Sequence, residues 1–216
     1  MKSMKRIVNK IGYVYCAEIE GQYKTYLQYI AIDSTQLYSQ VLRVFETKYP
    51  IDYIPDINEI IKGRVSFYTH TYNLSEAIRD GVWYKVGKHS DVGNLEDVYF
   101  KGCQDVDGKT MLPRFHWYIW KINQEEMDVG EELPEMFIVA DEGSVYPYEW
   151  IEEKIRTGKY TDENQLCEYV KNIIGRGHFN GEEECFRFKS ILREKYYIFT
   201  SEEIKTIKQM IDNYVF

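Results

Sequence analysis

Four cysteines, four histidines and five prolines are all that the 216 residues hold of these types, and no apolar run approaches the roughly 20 residues that a membrane-spanning helix needs. Cys16, Cys103, Cys167 and Cys185 stand far apart without a CxxC pair, which excludes the spacing of a zinc ribbon or a thioredoxin-type motif and reads as buried thiols in a reducing compartment. His70, His89, His116 and His178 are equally scattered, with no HExxH or other close ligand pair, so no metal is expected. A cluster of bases is missing too. The formal charge of −8 argues against general nucleic-acid binding, because phosphate contacts require grouped Lys and Arg. The basic stretch at positions 1–10 is broken by Lys10 and Gly12 before an apolar run of signal-peptide length can form, so a cytoplasmic location is expected, without membrane attachment.

Cofactor loops fail on spacing. Between Gly81 and Gly87 stand five residues instead of the four of a phosphate loop, and His89 occupies the Ser/Thr position. Gly175-Arg176-Gly177-His178-Phe179-Asn180-Gly181 has the wrong glycine spacing for a dinucleotide fingerprint and follows a predicted helix. Cys103-Gln104-Asp105-Val106-Asp107-Gly108 would need a bidentate Glu where Arg114 stands, so it is no calcium loop; Asp107-Gly108 reads as a tight turn. No cofactor is expected.

What the chain has in abundance is aromatic side chains and local acidity. Twenty Tyr, ten Phe and four Trp favour pleated, half-buried surfaces. Segment 12–19, a turn at Gly21-Gln22 and segment 23–32 predict a hairpin, and 40–45, alternating apolar and polar before Pro50, predicts a third strand in a meander. Segment 55–63 predicts a short helix between proline and glycine. Segments 64–72, 82–86, 97–101 and 116–122 predict further strands, with a helical turn at 75–80. The last strand, with aromatic groups on both faces, is expected in the middle of a sheet. Near Pro147 the period changes from two to 3.6. Segments 146–156 and 161–174 predict amphipathic helices, the second stopped by Gly175, while 181–198 fits either helix or strand. Thr200 and Glu203 make a capping box for a final helix whose stripe of Ile204, Ile207, Met210, Ile211 and Tyr214 is expected to dock on the sheet. The fold class is therefore α+β, an antiparallel β-rich region over 1–145 with a helical region over 146–216 packed on the same core.

The acidity is concentrated. Between positions 121 and 153 stand eleven acidic residues and a single base, Lys121, so the rest of the chain is close to neutral. Such a surface repels nucleic acid and attracts basic protein faces. Glu125, Glu126, Asp128, Glu131, Glu132 and Glu135 are the candidate partner-binding residues. No residue is marked as catalytic. Cys103 with His116, or Cys185 with His178, could form a nucleophile–base pair only by long-range convergence, so the alternative is a small hydrolase or transferase with a site assembled from distant residues.

The run Lys10-Ile11-Gly12-Tyr13-Val14-Tyr15-Cys16-Ala17-Glu18-Ile19, then Gly21-Gln22-Tyr23 and Gln28-Tyr29-Ile30, resembles the N-terminal pattern of the immunity protein 26 family: a basic-apolar-glycine start, a first strand, a glycine turn and a second strand. The resemblance covers the first third of the chain. It implies a largely β, non-enzymatic antidote of a bacterial polymorphic toxin system that binds and neutralises a cognate toxin. Joined to the acidic segment, it makes the expected partner a basic protein toxin, a nuclease above all.

Overall fold

A computed structural model describes residues 7–106 and 113–214, so the Asp107-Gly108 turn lies outside the described residues. The chain divides into two compact units, Met1–Glu152 and Glu153–Phe216. No helix among the described residues is long and apolar enough to cross a membrane.

The expected hairpin forms from β1 (Tyr13–Ile19) and β2 (Tyr23–Asp33), with Glu20 and Gly21 at φ 49° and 67°, the left-handed turn conformation that suits twisted antiparallel strands. β3 (Ser39–Phe45) continues the meander. Its alternation is misleading as to exposure. Apart from Gln40 the strand is buried throughout, Arg43 included, because both faces of the sheet are covered. A short helix, α1 (Ile57–Ile61), starts where the Asp56 side chain accepts from the Asn58 amide at 2.8 Å. β4 (Val65–Thr71), α2 (Leu74–Arg79) and β5 (Trp83–Lys88) follow. A second sheet is built from β6 (Tyr99–Val106), β7 (Pro113–Lys121), β8 (Met127–Gly130) and β9 (Asp141–Glu142) in the order β8-β7-β6-β9. With β10 (Val145–Tyr146) the first sheet runs β10-β4-β3-β2-β1-β5. Pairing is antiparallel except for β10 with β4 and β9 with β6, so segment 141–146 stitches one sheet to the other.

β7 is an inner strand, as its two aromatic faces require. Trp120 and Ile122, with Phe100, pack on Ile30, Ala31 and Val41 of the first sheet, while Trp117 and Ile119 are buried on the opposite face. A polar row runs through the covered face of the first sheet. Gln28 pairs with Arg43 and Arg43 with Tyr68 in register, and all three are withdrawn from solvent to a large degree. Arg43 and Gln28 are satisfied by each other and by backbone carbonyls. Arg43 Nε donates to Gln28 Oε1 at 2.8 Å and its Nη2 to the Asp91 carbonyl at 2.9 Å, while Gln28 Nε2 reaches the carbonyls of Gly12, His89 and Asp91 at 3.0–3.3 Å.

The helix α3 (Tyr148–Thr157) begins just after Pro147. In the second unit α4 (Thr161–Arg176) runs past the expected stop at Gly175 and ends at Gly177, whose φ of 77° gives the left-handed C-terminal turn. The ambiguous stretch is helical as α5 (Glu182–Lys195), closed by a 3-10 turn at Tyr196–Ile198. Thr200 caps α6 (Ser201–Asp212) as predicted: its hydroxyl accepts from the Glu203 amide at 3.2 Å and Glu203 accepts from the Thr200 amide at 2.8 Å. The α6 stripe expected on the sheet meets helices instead, in a cluster that includes Val170, Ile173, Phe188 and Ile207.

Candidate functional site

The acidic residues are displayed from the free edge of the second sheet. Among the described residues β8 is hydrogen-bonded to β7 alone, and it leads through Gly130 (φ 92°) into segment 131–138. Two apolar side chains fix this segment: Leu133 is buried, and Phe137, in a 3-10 turn at Glu135–Phe137, sits 5.4 Å from the ring of Tyr99. Between these anchors Glu135 is left in solvent, as are the carboxylates that precede Leu133. All six sequence-predicted residues, Glu125, Glu126, Asp128, Glu131, Glu132 and Glu135, are exposed on this one segment.

They are not equivalent. Asp128 faces His116, its two oxygens 2.7 and 2.8 Å from the imidazole Nδ1, and also accepts from the Gly130 amide at 2.9 Å, so it shapes β8 as well as contributing charge. Among the described residues, Glu125, Glu126, Glu132 and Glu135 have no intramolecular cation. The remainder of the acidic window is used internally. Asp141 accepts from the Tyr68 amide at 2.8 Å, buried Glu142 from the Tyr146 hydroxyl at 2.6 Å, and Glu152 from the Trp83 indole at 3.0 Å. Burial pushes the Glu152 carboxyl pKa up, against the opposing effect of that indole.

Beside the 3-10 turn lies a pocket of about 170 Å³, lined among others by Tyr68, Asp97, Tyr99, Phe137, Val139 and Asp141. Burial raises the Tyr68 hydroxyl pKa. Asp141 and Asp97 add to the rise and Arg43 opposes it. Sequence reasoning missed this pocket. Its carboxylates and rings come from β4, from residues 97–99 at the approach to β6 and from segment 137–141, and no motif links segments so far apart.

The nucleophile–base pairs weighed for an enzyme do not form. Cys103 pairs in register with Trp117 and Gln104 with His116, a one-residue offset that puts the Cys103 and His116 side chains on opposite faces of the sheet. Cys185 is buried in the helical cluster while His178 is exposed, its Nδ1 3.1 Å from the Arg176 carbonyl. A carboxylate–imidazole pair does exist elsewhere: Asp33 Oδ2 lies 3.2 Å from His70 Nε2, with both side chains at 0% exposure. Asp33 Oδ1 also accepts from the Thr35 and Gln36 amides at 3.1 Å, and His70 packs 4.2 Å from the Phe100 ring. Closed to solvent, the pair pins the end of β2 to β4.

The chain matches no protein-family model, no curated protein and no solved structure.

Proposed function

We propose that this protein is a non-enzymatic immunity-type module that binds and neutralises a basic protein toxin through its acidic segment 125–135. The observation that carries this reading is the set of exposed carboxylates Glu125, Glu126, Glu132 and Glu135, which have no cation partner among the described residues, displayed around an edge strand and beside the buried anchors Leu133 and Phe137. Charge fixed in this way attracts a basic surface at long range and repels nucleic acid, the competing ligand of a nuclease. Exposed Met127 on this segment and Met136 directly after it supply adaptable apolar contact within the acidic rim. The N-terminal resemblance to the immunity protein 26 family points to the same kind of partner. The test is affinity capture from the native host at low and high salt, with the captured proteins identified by mass spectrometry. Recovery of one basic, toxin-like protein, weakened by salt, supports the reading; recovery of nothing specific from a host shown to express a candidate toxin overturns it.

A further inference from the structure

We propose that Tyr38 is the aromatic anchor of the partner interface, the side chain over which the basic toxin closes beside the acidic segment. This inference deepens the proposed function and rests on it. Tyr38 ends the turn between β2 and β3, and its φ of 46° puts a bulky residue in the left-handed region that Gly and Asn adopt more readily. Leu37 before it packs against the cluster of Ile30, Val41, Trp120 and Ile122, and Ser39 after it is buried at the start of β3. The Tyr38 ring between them stands 80% exposed. A ring so exposed adds little to the core, so packing does not account for an aromatic residue at a strained position.

The turn is fastened to the start of the acidic segment. Asp33 Oδ1 accepts from the Thr35 and Gln36 amides at 3.1 Å, which fixes the turn from within. Asn123 Oδ1 accepts from the Ser34 amide at 2.7 Å and its Nδ2 donates to the Ile32 carbonyl at 2.9 Å, while Gln36 Nε2 donates to the Gln124 carbonyl at 3.1 Å. Asn123 and Gln124 are followed at once by Glu125 and Glu126, exposed and without a cation partner among the described residues. The ring is therefore preorganised next to fixed negative charge. Ile32, 47% exposed, and Tyr38 flank Asp33 and Ser39, the pair that closes the β2–β3 ladder, so an aliphatic side chain accompanies the aromatic one. Tyr recurs among the side chains that contribute most to protein interfaces. The surrounding charge selects the occupant. A twofold contact with a second copy would bring like carboxylates together, and a nucleic acid would meet them with its phosphates. A protein with an apolar recess bordered by Lys and Arg matches both the ring and the charge.

Two variants of the whole protein test this: Tyr38→Asn, which suits the left-handed backbone and removes the ring, and Tyr38→Phe, which keeps the ring. The probe is the basic protein recovered by affinity capture, with association and dissociation rates measured separately. Tyr38→Asn should dissociate about tenfold or more faster, with its association rate within about twofold of wild type, and Tyr38→Phe should dissociate at close to the wild-type rate. Without any partner, the urea midpoint of Tyr38→Asn should equal or exceed that of wild type, because Asn relieves the strained backbone. An unchanged dissociation rate in Tyr38→Asn, equally fast dissociation in Tyr38→Phe, or a lowered urea midpoint overturns the inference. So does a dimer of the free protein, seen in sedimentation, that Tyr38→Asn takes apart, since a second copy would then cover the ring. Neutralising Glu125, Glu126, Glu131, Glu132 and Glu135 separates the anchor from the proposed function. If that variant associates at the wild-type rate while Tyr38→Asn dissociates faster, the acidic-segment reading fails and the anchor stands. If association slows in that variant while Tyr38→Asn dissociates as wild type does, the anchor fails alone.

Discussion

Burial sets the behaviour of His70. It holds the imidazole pKa down at about 4, outweighing the opposing pull of Asp33, so the folded protein keeps this ring neutral where the unfolded chain would protonate it. The unfolded state therefore binds the extra proton between the ordinary value near 6.5 and about 4, and stability present above that window is lost as pH falls through it, by up to about 3 kcal/mol. An NMR titration of the His70 ring protons should show a midpoint near 4; a midpoint near 6.5 would contradict the burial argument. Gly143 is a second residue whose role only the fold reveals. A Cβ built there falls 1.9 Å from the buried Trp120 ring, so Gly143→Ala should cost about 2–3 kcal/mol in urea denaturation. A cost under about 0.5 kcal/mol would mean that the ring moves aside freely. In the sequence, Gly143 is indistinguishable from the loop glycines that meet nothing, such as Gly21.

At the scale of elements, what is local is legible. The β1–β2 hairpin, α1 behind Asp56 and α6 behind Thr200 are announced by turn and cap residues that act within a few positions. The end of α4 is not, because Gly175 and Gly177 are equal candidates until packing selects the one that turns left-handed. Nor is the covering of the first sheet. Arg43 reads as the solvent side of an alternating strand, yet segment 89–94 closes over it and is held there by the Arg43 and Gln28 bonds to the His89 and Asp91 carbonyls. Arg43→Ala should leave Gln28 and the Asp91 carbonyl short of a donor and cost about 3 kcal/mol. Amide exchange in 89–94 should accelerate more than exchange in β2. Equal acceleration in both would show that Arg43 supports the sheet as a whole rather than this covering loop.

For the molecule as a whole, charge placement carries the account. The sequence localises the acidity to one window, and the fold divides that window into carboxylates spent on internal donors, as at Asp141, Glu142 and Glu152, and carboxylates left to solvent on segment 125–135. That division depends on which residues meet β4, β5 and β10, so composition alone could not supply it. The most direct test is the association rate of the captured partner, measured by stopped flow at low and high ionic strength for the native protein and for the variant carrying Gln at positions 125, 126, 131, 132 and 135. Association about tenfold or more slower in the variant at low ionic strength, with the difference shrinking as salt is added, is the predicted result. Equal rates at low ionic strength would contradict the claim that this segment meets the partner.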